Sequence, residues 1–281
     1  MRTVRRVAEL REALRDAPRP VGLVPTMGAF HDGHLSLMRA ARRENETVVV
    51  SLFVNPTQFG PSDDLDAYPR DEARDARLAE DQGVDVLFAP PAQEVYPPRF
   101  DAAVEVGGPA RILEGDPTQR GPEHFRGVAT VVAKLFNMAQ PERAYFGQKD
   151  AQQALVIRKL VRDLDFPVEI RVCPTVREES GLAMSSRNAY LSDEQRARAV
   201  ALWRALHAAE ESVRLGELNA AKVLAAAGAE LDAAGIEPDY LELRSAEDLS
   251  PVDSVKGRTL LAVAARVGRA RLIDNTVLDG G

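Results

Sequence analysis

The chain has 281 residues, a formal charge of -7, 45% hydrophobic residues and one cysteine. A chain of this length buries roughly 75% of its unfolded surface, so it holds one large domain or two smaller ones. The acidic balance argues against a nucleic-acid partner, which needs a basic face, and the lone Cys173 excludes an intramolecular disulfide and any multi-cysteine metal site, as fits a reducing cytoplasm.

The first segment, "MRTVRRVAELREALRDA", is amphipathic and lacks the long apolar core of a secretory signal. It predicts a helix over residues 3–17, ended by Pro18 and Pro20. No apolar run reaches the ~18 residues of a membrane span, so no membrane partner and a cytoplasmic location are expected. Residues 21–24 predict a strand, followed by the loop "PTMGAFHDGH" and a helix from about Gly33 to Arg43. "TVVVSLFV" (47–54) is apolar throughout, as expected of a strand covered on both faces of a parallel sheet. A helix over 71–83, stopped by Gly83, and a strand over 84–88 follow. Val128, Val131, Val132, Leu135 and Phe136 mark a helix face. Residues 143–146 predict a strand, Ile157, Leu160, Val161 and Leu164 a helix, and 168–172 another strand. Alternating strands and helices predict an α/β fold, a Rossmann-like doubly wound parallel sheet with ligands at the carboxyl ends of its strands.

The pattern changes near Pro174, and the expected division is 1–175 and 176–281. Ser192 and Gln195 form a capping-box signature for a long helix over 192–213, and an alanine-rich helix covers about 219–234. Residues 239–245, 257–268 and 271–278 predict three strands, the last two a hairpin through Gly268. The second part is therefore a smaller α+β domain.

Three loops carry chemistry. In the first, His31 and His34 stand where a strand runs into a helix. Helix N-termini present unpaired N–H groups and partial positive charge, hence natural anion sites. Two imidazoles three residues apart, with Gly33 admitting a ligand to the backbone, suit a polyphosphate and can donate to oxygens that gain charge in phosphoryl-type transfer. The bland alternative is a turn histidine and a cap. Zinc fits worse, since a helical zinc pair is usually spaced by four and no third ligand is evident, so no metal site is expected. In the second loop, "FGQKDAQQ", Asp150 and Gln153 could simply cap a helix, but Lys149 before a helix N-terminus opposes the dipole unless a phosphate lies beyond it. In the third, "ESGLAMSSRNAYLS", Arg187 offers bidentate phosphate recognition and Gly181 a hinge; alone, this reads as an ordinary polar interdomain loop. In "FVNPTQFGPSDDLDAYPR", Asn55 and Gln58 are uncharged groups suited to a hydroxylated small molecule, while Asp63, Asp64 and Asp66 read as a solvated acidic patch. His124 suits a pocket rim, and His207 a structural role.

H-x-G-H followed far downstream by M-S-S-R resembles the adenylate-forming nucleotidylyltransferases. The ordered set "PTMGAFHDGH", "FVNPTQFG", "DLDAYPR", "HFRGV", "FGQKD" and "AMSSRN", closing with "RLIDN", resembles the pantoate–β-alanine ligase family over nearly the whole chain. That resemblance implies a cytoplasmic ligase of pantothenate biosynthesis, dimeric as the family commonly is. Its substrates would be pantoate, β-alanine and ATP with Mg²⁺, and pantoyl-adenylate its intermediate. It implies an ATP site lined by Met27, Gly28, Ala29, Phe30, His31, Asp32, Gly33 and His34, with His34 in the proton-donor position. Gly147 and Asp150 would hold the ribose beside Gln148, and Lys149 the phosphates. Val176 and Met184 would flank the adenine. Ser185, Ser186 and Arg187 would hold the triphosphate, and Gln58 and Gln153 the pantoate hydroxyls. Catalysis would fall to His34, His31, Lys149, Ser185, Ser186 and Arg187. Phe30 stands where the family often has leucine, and Gln148 where it often has glutamate. Two alternatives are another adenylate-forming nucleotidylyltransferase and a non-catalytic adenylate-binding module of the same fold.

Overall fold

Arg2–Val4 is a strand, β1, and the first helix, α1, covers only Val7–Leu14. Val4, Val7, Leu10 and Leu14 share one helical stripe, which is why the periodicity predicts helix from residue 3. β1 pairs in parallel with β4 (Val86–Phe88), and three residues are too few to display a strand's alternation. The computed structural model describes residues 1–60 and 65–280, so Asp63 and Asp64 of the expected acidic patch lie outside the described residues; Asp66 is exposed.

The chain divides into two compact units: residues 1–148 with 152–174, and 149–151 with 175–281. The first unit continues with β2 (Val21–Thr26), α2 (Asp32–Glu44), β3 (Thr47–Leu52), α3 (Glu72–Asp81), β4, α4 (Ala92–Val95), α5 (Pro122–Ala139), β5 (Arg143–Gly147), α6 (Ala151–Asp163) and β6 (Glu169–Cys173). Among the described residues its strands form a six-stranded sheet in the order β1-β4-β3-β2-β5-β6, parallel at every pairing. Side chains alternate between the faces of a strand. Leu23, Val49 and Ala144 therefore pack with α1, α5 and α6, while Val24, Val50 and Tyr145 pack with α2 and α3. Coverage on both faces explains the apolar run over residues 48–50 of β3 and the burial of Thr47 and Ser51 beside it.

Strand order reverses between β2 and β5, the place where doubly wound sheets bind ligands. The two ladders of β2 differ there. Its pairing with β3 runs from Val21↔Thr47 to Thr26↔Leu52, whereas its ladder with β5 covers Gly22 and Leu23. β2 and β5 thus part toward their carboxyl ends, where the first two predicted loops begin.

In the second unit, α7 (Asp193–Ala199), α8 (Ala201–Arg214) and α9 (Ala220–Ala233) accompany an antiparallel sheet of β7 (Pro238–Ser245), β8 (Gly257–Val267) and β9 (Ala270–Gly280). The predicted long helix is broken at Val200, and the Ser192–Gln195 capping box forms in full at the start of α7. β8 and β9 are joined through Gly268, with Val267 opposite Ala270. A shared apolar core of Leu202, Leu206, Val223, Leu261 and Val263 lies between helices and sheet. Among the described residues, no helix is long and apolar enough to cross a membrane.

Candidate active site

The predicted site residues fall into two groups, one in each unit. In the first, Thr26 ends β2, its hydroxyl donating to the Ser51 carbonyl at 2.6 Å. The chain then turns through Gly28 (φ 91°) and Ala29 (φ 50°), both left-handed. A side chain at Gly28 would lie 2.6 Å from Leu52 Cδ1, so glycine is required by space as well as by backbone. Phe30 turns its ring into the core, 1% exposed. His31 occupies the N-cap position of α2 with extended backbone, and its side chain makes no capping hydrogen bond. His34 stands one turn on, its ring centroid 4.1 Å from that of His31 and 5.6 Å from that of Phe30. Both histidines are half-buried, and exposed Asp32 puts negative charge in the first helical turn, which favours the helix.

Gln58 closes a short turn over Pro56–Gln58 that Asn55 caps through its side chain. It is 8% exposed and oriented from both ends of its amide: Asn55 Nδ2 donates to Oε1 at 3.1 Å, and Nε2 donates to Met27 Sδ at 2.9 Å. Asn55 is held by the Tyr96 hydroxyl, which donates to its Oδ1 at 2.7 Å, and by its own bond to the Gly127 carbonyl at 3.1 Å. Burial pushes the Tyr96 phenol up, against the opposing effect of its bonds to Thr57 and Asn55. His124 Nδ1 lies 2.8 Å from the Gln58 carbonyl, so this histidine supports the Gln58 turn. Gly147 and Gln148, at the end of β5, are half-buried, as is Gln153 in the first turn of α6. Its neighbour Gln152 is the buried one, donating to the carbonyls of Pro109 and Ile112.

In the second unit, Lys149 and Asp150 are adjacent, with Nζ 3.5 Å from Oδ1. The Lys149 carbonyl accepts from Asn275 Nδ2 at 2.8 Å. Val176 and Met184 are brought side by side by a small antiparallel ladder, the Met184 N–H donating to the Val176 carbonyl at 2.9 Å. Ser185 caps the turn Ser186–Tyr190 by accepting from the Arg187 N–H at 3.3 Å. Ser186 and Arg187 follow, half-buried. Buried Asn188 ties the turn down, donating to the Ala183 carbonyl at 3.0 Å and to Glu178 at 2.9 Å. Gly181 has φ 94°, and a Cβ there would lie 2.5 Å from the Trp203 ring. Packing against an aromatic, in a closed turn, is a stronger reason for this glycine than the expected hinge. His207 sits in α8 with its ring 5.6 Å from that of Trp203.

Asp75, Tyr96, Asp274 and Asn275 are supporting residues to which the motifs assign no site role, and Asn55, expected beside Gln58, orients it. Asp75 lies four residues before buried Ala79, on the inward face of α3.

The Pantoate-beta-alanine ligase family model matches residues 1–277. The pantothenate synthetase of Roseiflexus castenholzii is 54% identical over 280 residues, covering 99% of this chain and 100% of that one. That of Moorella thermoacetica is 51% identical, covering 99% and 98%. The crystal structure of pantothenate synthetase from Thermus thermophilus superposes with a TM-score of 0.94 at 52% identity, covering 98% of this chain and 99% of that one. The pantoate-beta-alanine ligase of Francisella tularensis, complexed with beta-gamma ATP and beta-alanine, superposes with a TM-score of 0.81 at 33% identity, covering 99% and 97%. A family model spanning almost the whole chain, together with relatives of the same length at half identity, establishes that the chain belongs to the pantoate-beta-alanine ligase family.

Proposed function

We propose that the chain condenses pantoate with β-alanine in an ATP-dependent reaction giving pantothenate, AMP and pyrophosphate. A pantoate carboxylate oxygen attacks the α-phosphorus of ATP, and the bond to the β-phosphate breaks, giving pantoyl-adenylate and pyrophosphate. The β-alanine amine then attacks the acyl carbon, loses a proton, and AMP leaves. The first step brings an anion to an anion, so positioning and charge neutralisation dominate its barrier.

The observation that carries this reading is the close pair His31–His34 at the start of α2, with ring centroids 4.1 Å apart. Donors at such a helix start suit oxygens that gain charge as pyrophosphate departs. His34 is the proton donor, His31 its partner, and the segment Met27–His34 lines the nucleotide. Gly147, Gln148 and Asp150 serve the ribose side, Lys149, Ser185, Ser186 and Arg187 the phosphates, and Val176 and Met184 the adenine. Gln58 and Gln153 bind the pantoate hydroxyls. Gln58 is uncharged, buried and held at both ends of its amide, which suits a neutral hydroxyl better than a phosphate.

Mg²⁺ enters as part of the substrate, carried on the triphosphate oxygens. Mg²⁺ commonly keeps most of its ligands as water and phosphate. The protein acts in the cytoplasm as a homodimer, organised as a catalytic domain over 1–175 and a smaller domain over 176–281. The deciding experiment is pyrophosphate release with pantoate and with other acids in its place. Release that requires pantoate, followed by pantothenate formation on adding β-alanine, is the expected result. ATP binding without turnover for any acid would instead leave a binding module.

A further inference from the structure

The β2–α2 loop contains an anion-binding concavity that the protein fills itself. Successive main-chain N–H groups in a turn conformation converge to form such concavities, and left-handed Gly28 and Ala29 place the N–H groups of Ala29 and Phe30 in this way. Both already have an acceptor. Asp75 Oδ2 accepts from the Ala29 N–H and Oδ1 from the Phe30 N–H, each at 2.8 Å. The Asp75 side chain is 1% exposed. Its neighbour Arg74 donates to the Phe30 carbonyl at 3.1 Å and lies 3.7 Å from Asp75 Oδ1. Two consecutive residues of α3 therefore grip Ala29 and Phe30 by two N–H groups and one carbonyl, immediately before His31. A buried carboxylate is unfavourable unless paired and hydrogen-bonded, and here the loop supplies the bonds.

We infer that Asp75 is a positioning residue, a built-in anion that holds the loop before α2 and thereby sets the place of His31 and His34. The inference rests on the reading that these histidines act on the phosphates of ATP. It adds that the amides of Ala29 and Phe30 do not bind those phosphates, unlike the amides of a glycine-rich loop that cradles a nucleotide. Charge neutralisation on this side of the reaction then falls to the side chains.

Asp75→Asn keeps the size of the group but turns an NH₂ toward one of the two loop N–H groups. The test measures single-turnover pantoyl-adenylate formation against ATP concentration for wild type, Asp75→Asn, His34→Ala and the double variant. The expected result is a maximal rate at least about tenfold lower in Asp75→Asn, with half-saturation by ATP changed less than about threefold. In the His34→Ala background the same substitution should lower the rate less than about threefold, because a residue acting through His34 has nothing left to position. Equal losses in both backgrounds, or no loss in either, would overturn the inference. Amide hydrogen exchange is the second measurement and needs no turnover. In the wild type, Ala29 and Phe30 should exchange at least about 100-fold more slowly than free peptide, and free-peptide rates there would remove the clamp. Wild-type protein that makes no pantoyl-adenylate while these amides stay protected would refute the functional reading and not the clamp, and would leave Asp75 without a positioning role.

Discussion

Asn275 donates its side-chain amide to the main-chain carbonyl of Lys149 at 2.8 Å. The next residue back, Asp274, forms a two-point ion pair with Arg177 at 2.6 and 3.1 Å, and Arg177 also donates to the Gly181 carbonyl at 3.1 Å. Two consecutive residues of β9 thus hold the Lys149 segment and the turn that precedes Met184–Arg187. The closing motif "RLIDN" gains a physical purpose: it fastens the backbones that carry the proposed phosphate ligands.

Removing the Asn275 amide takes this donor from the part-buried Lys149 carbonyl, a loss of about 0.5–1.5 kcal/mol. Asn275→Ala should slow pantoyl-adenylate formation about tenfold or more. It should slow the second step, started from supplied pantoyl-adenylate, less than about threefold, because pyrophosphate has already left. The two half-reactions are measured separately by rapid quench. An equal loss in both steps would assign Asn275 to folding alone.

His34→Ala removes the proposed donor to developing charge. Adenylate formation should fall by about 10²–10³-fold, the scale of one transition-state donor. The side chain is half-buried at a helix start, so thermal unfolding should shift little. A fall of less than about threefold with the fold intact would take His34 out of the chemistry.

Gln58 is oriented by Asn55, and Asn55 by Tyr96. Tyr96→Phe removes only the hydroxyl that donates to Asn55 Oδ1 at 2.7 Å. A lost hydrogen bond of this kind is worth about 0.5–1.5 kcal/mol. KM for pantoate should therefore rise about two- to tenfold while KM for ATP is unchanged. Steady-state kinetics with each substrate varied in turn checks this, and a change confined to ATP would separate the Asn55 network from the acid.

Tyr145 sets a stability slope at high pH. Burial pushes its phenol up to about 12, the Asn45 amide works the other way, and the Glu44 carboxylate adds to the rise. In the unfolded chain the phenol titrates near 10. Between about pH 10 and 12 the unfolded state therefore holds fewer protons than the folded one, and stability falls as pH rises, by at most about 1.4 kcal/mol per pH unit. Below about pH 10 this group contributes no slope. Tyr145→Phe should flatten the fall by up to one proton, seen in denaturant unfolding at a series of pH values, and should remove a late step from the tyrosinate absorbance titration.

The fold was legible where local pattern and tertiary demand coincide. β3 reads as a strand because both its faces are covered, and α2 because its apolar spacing matches one buried face. β1 was not legible, since its three residues become a strand only by pairing with β4. The helix over 192–213 looked continuous, and its break at Val200 has no proline or glycine to announce it. In the candidate site, Lys149 stands out because a cation before a helix start opposes the dipole unless an anion lies beyond it, His31 and His34 because two donors at a helix start suit a polyphosphate, and Arg187 because its guanidinium suits bidentate phosphate recognition.

Residue types and their spacing determined the alternating α/β architecture, the change to a smaller α+β part and the ordered motifs that mark the family. Tertiary structure alone decided which polar residues are buried and what they hold. Asp75 reads as one more charge on an acidic helix until it meets the amides of Ala29 and Phe30. Asn275 reads as a strand residue until it meets the Lys149 carbonyl. The physical reason is that apolar burial follows from periodicity along the chain, whereas a buried polar group is stable only with a partner, and that partner is supplied by a distant segment brought near by the fold.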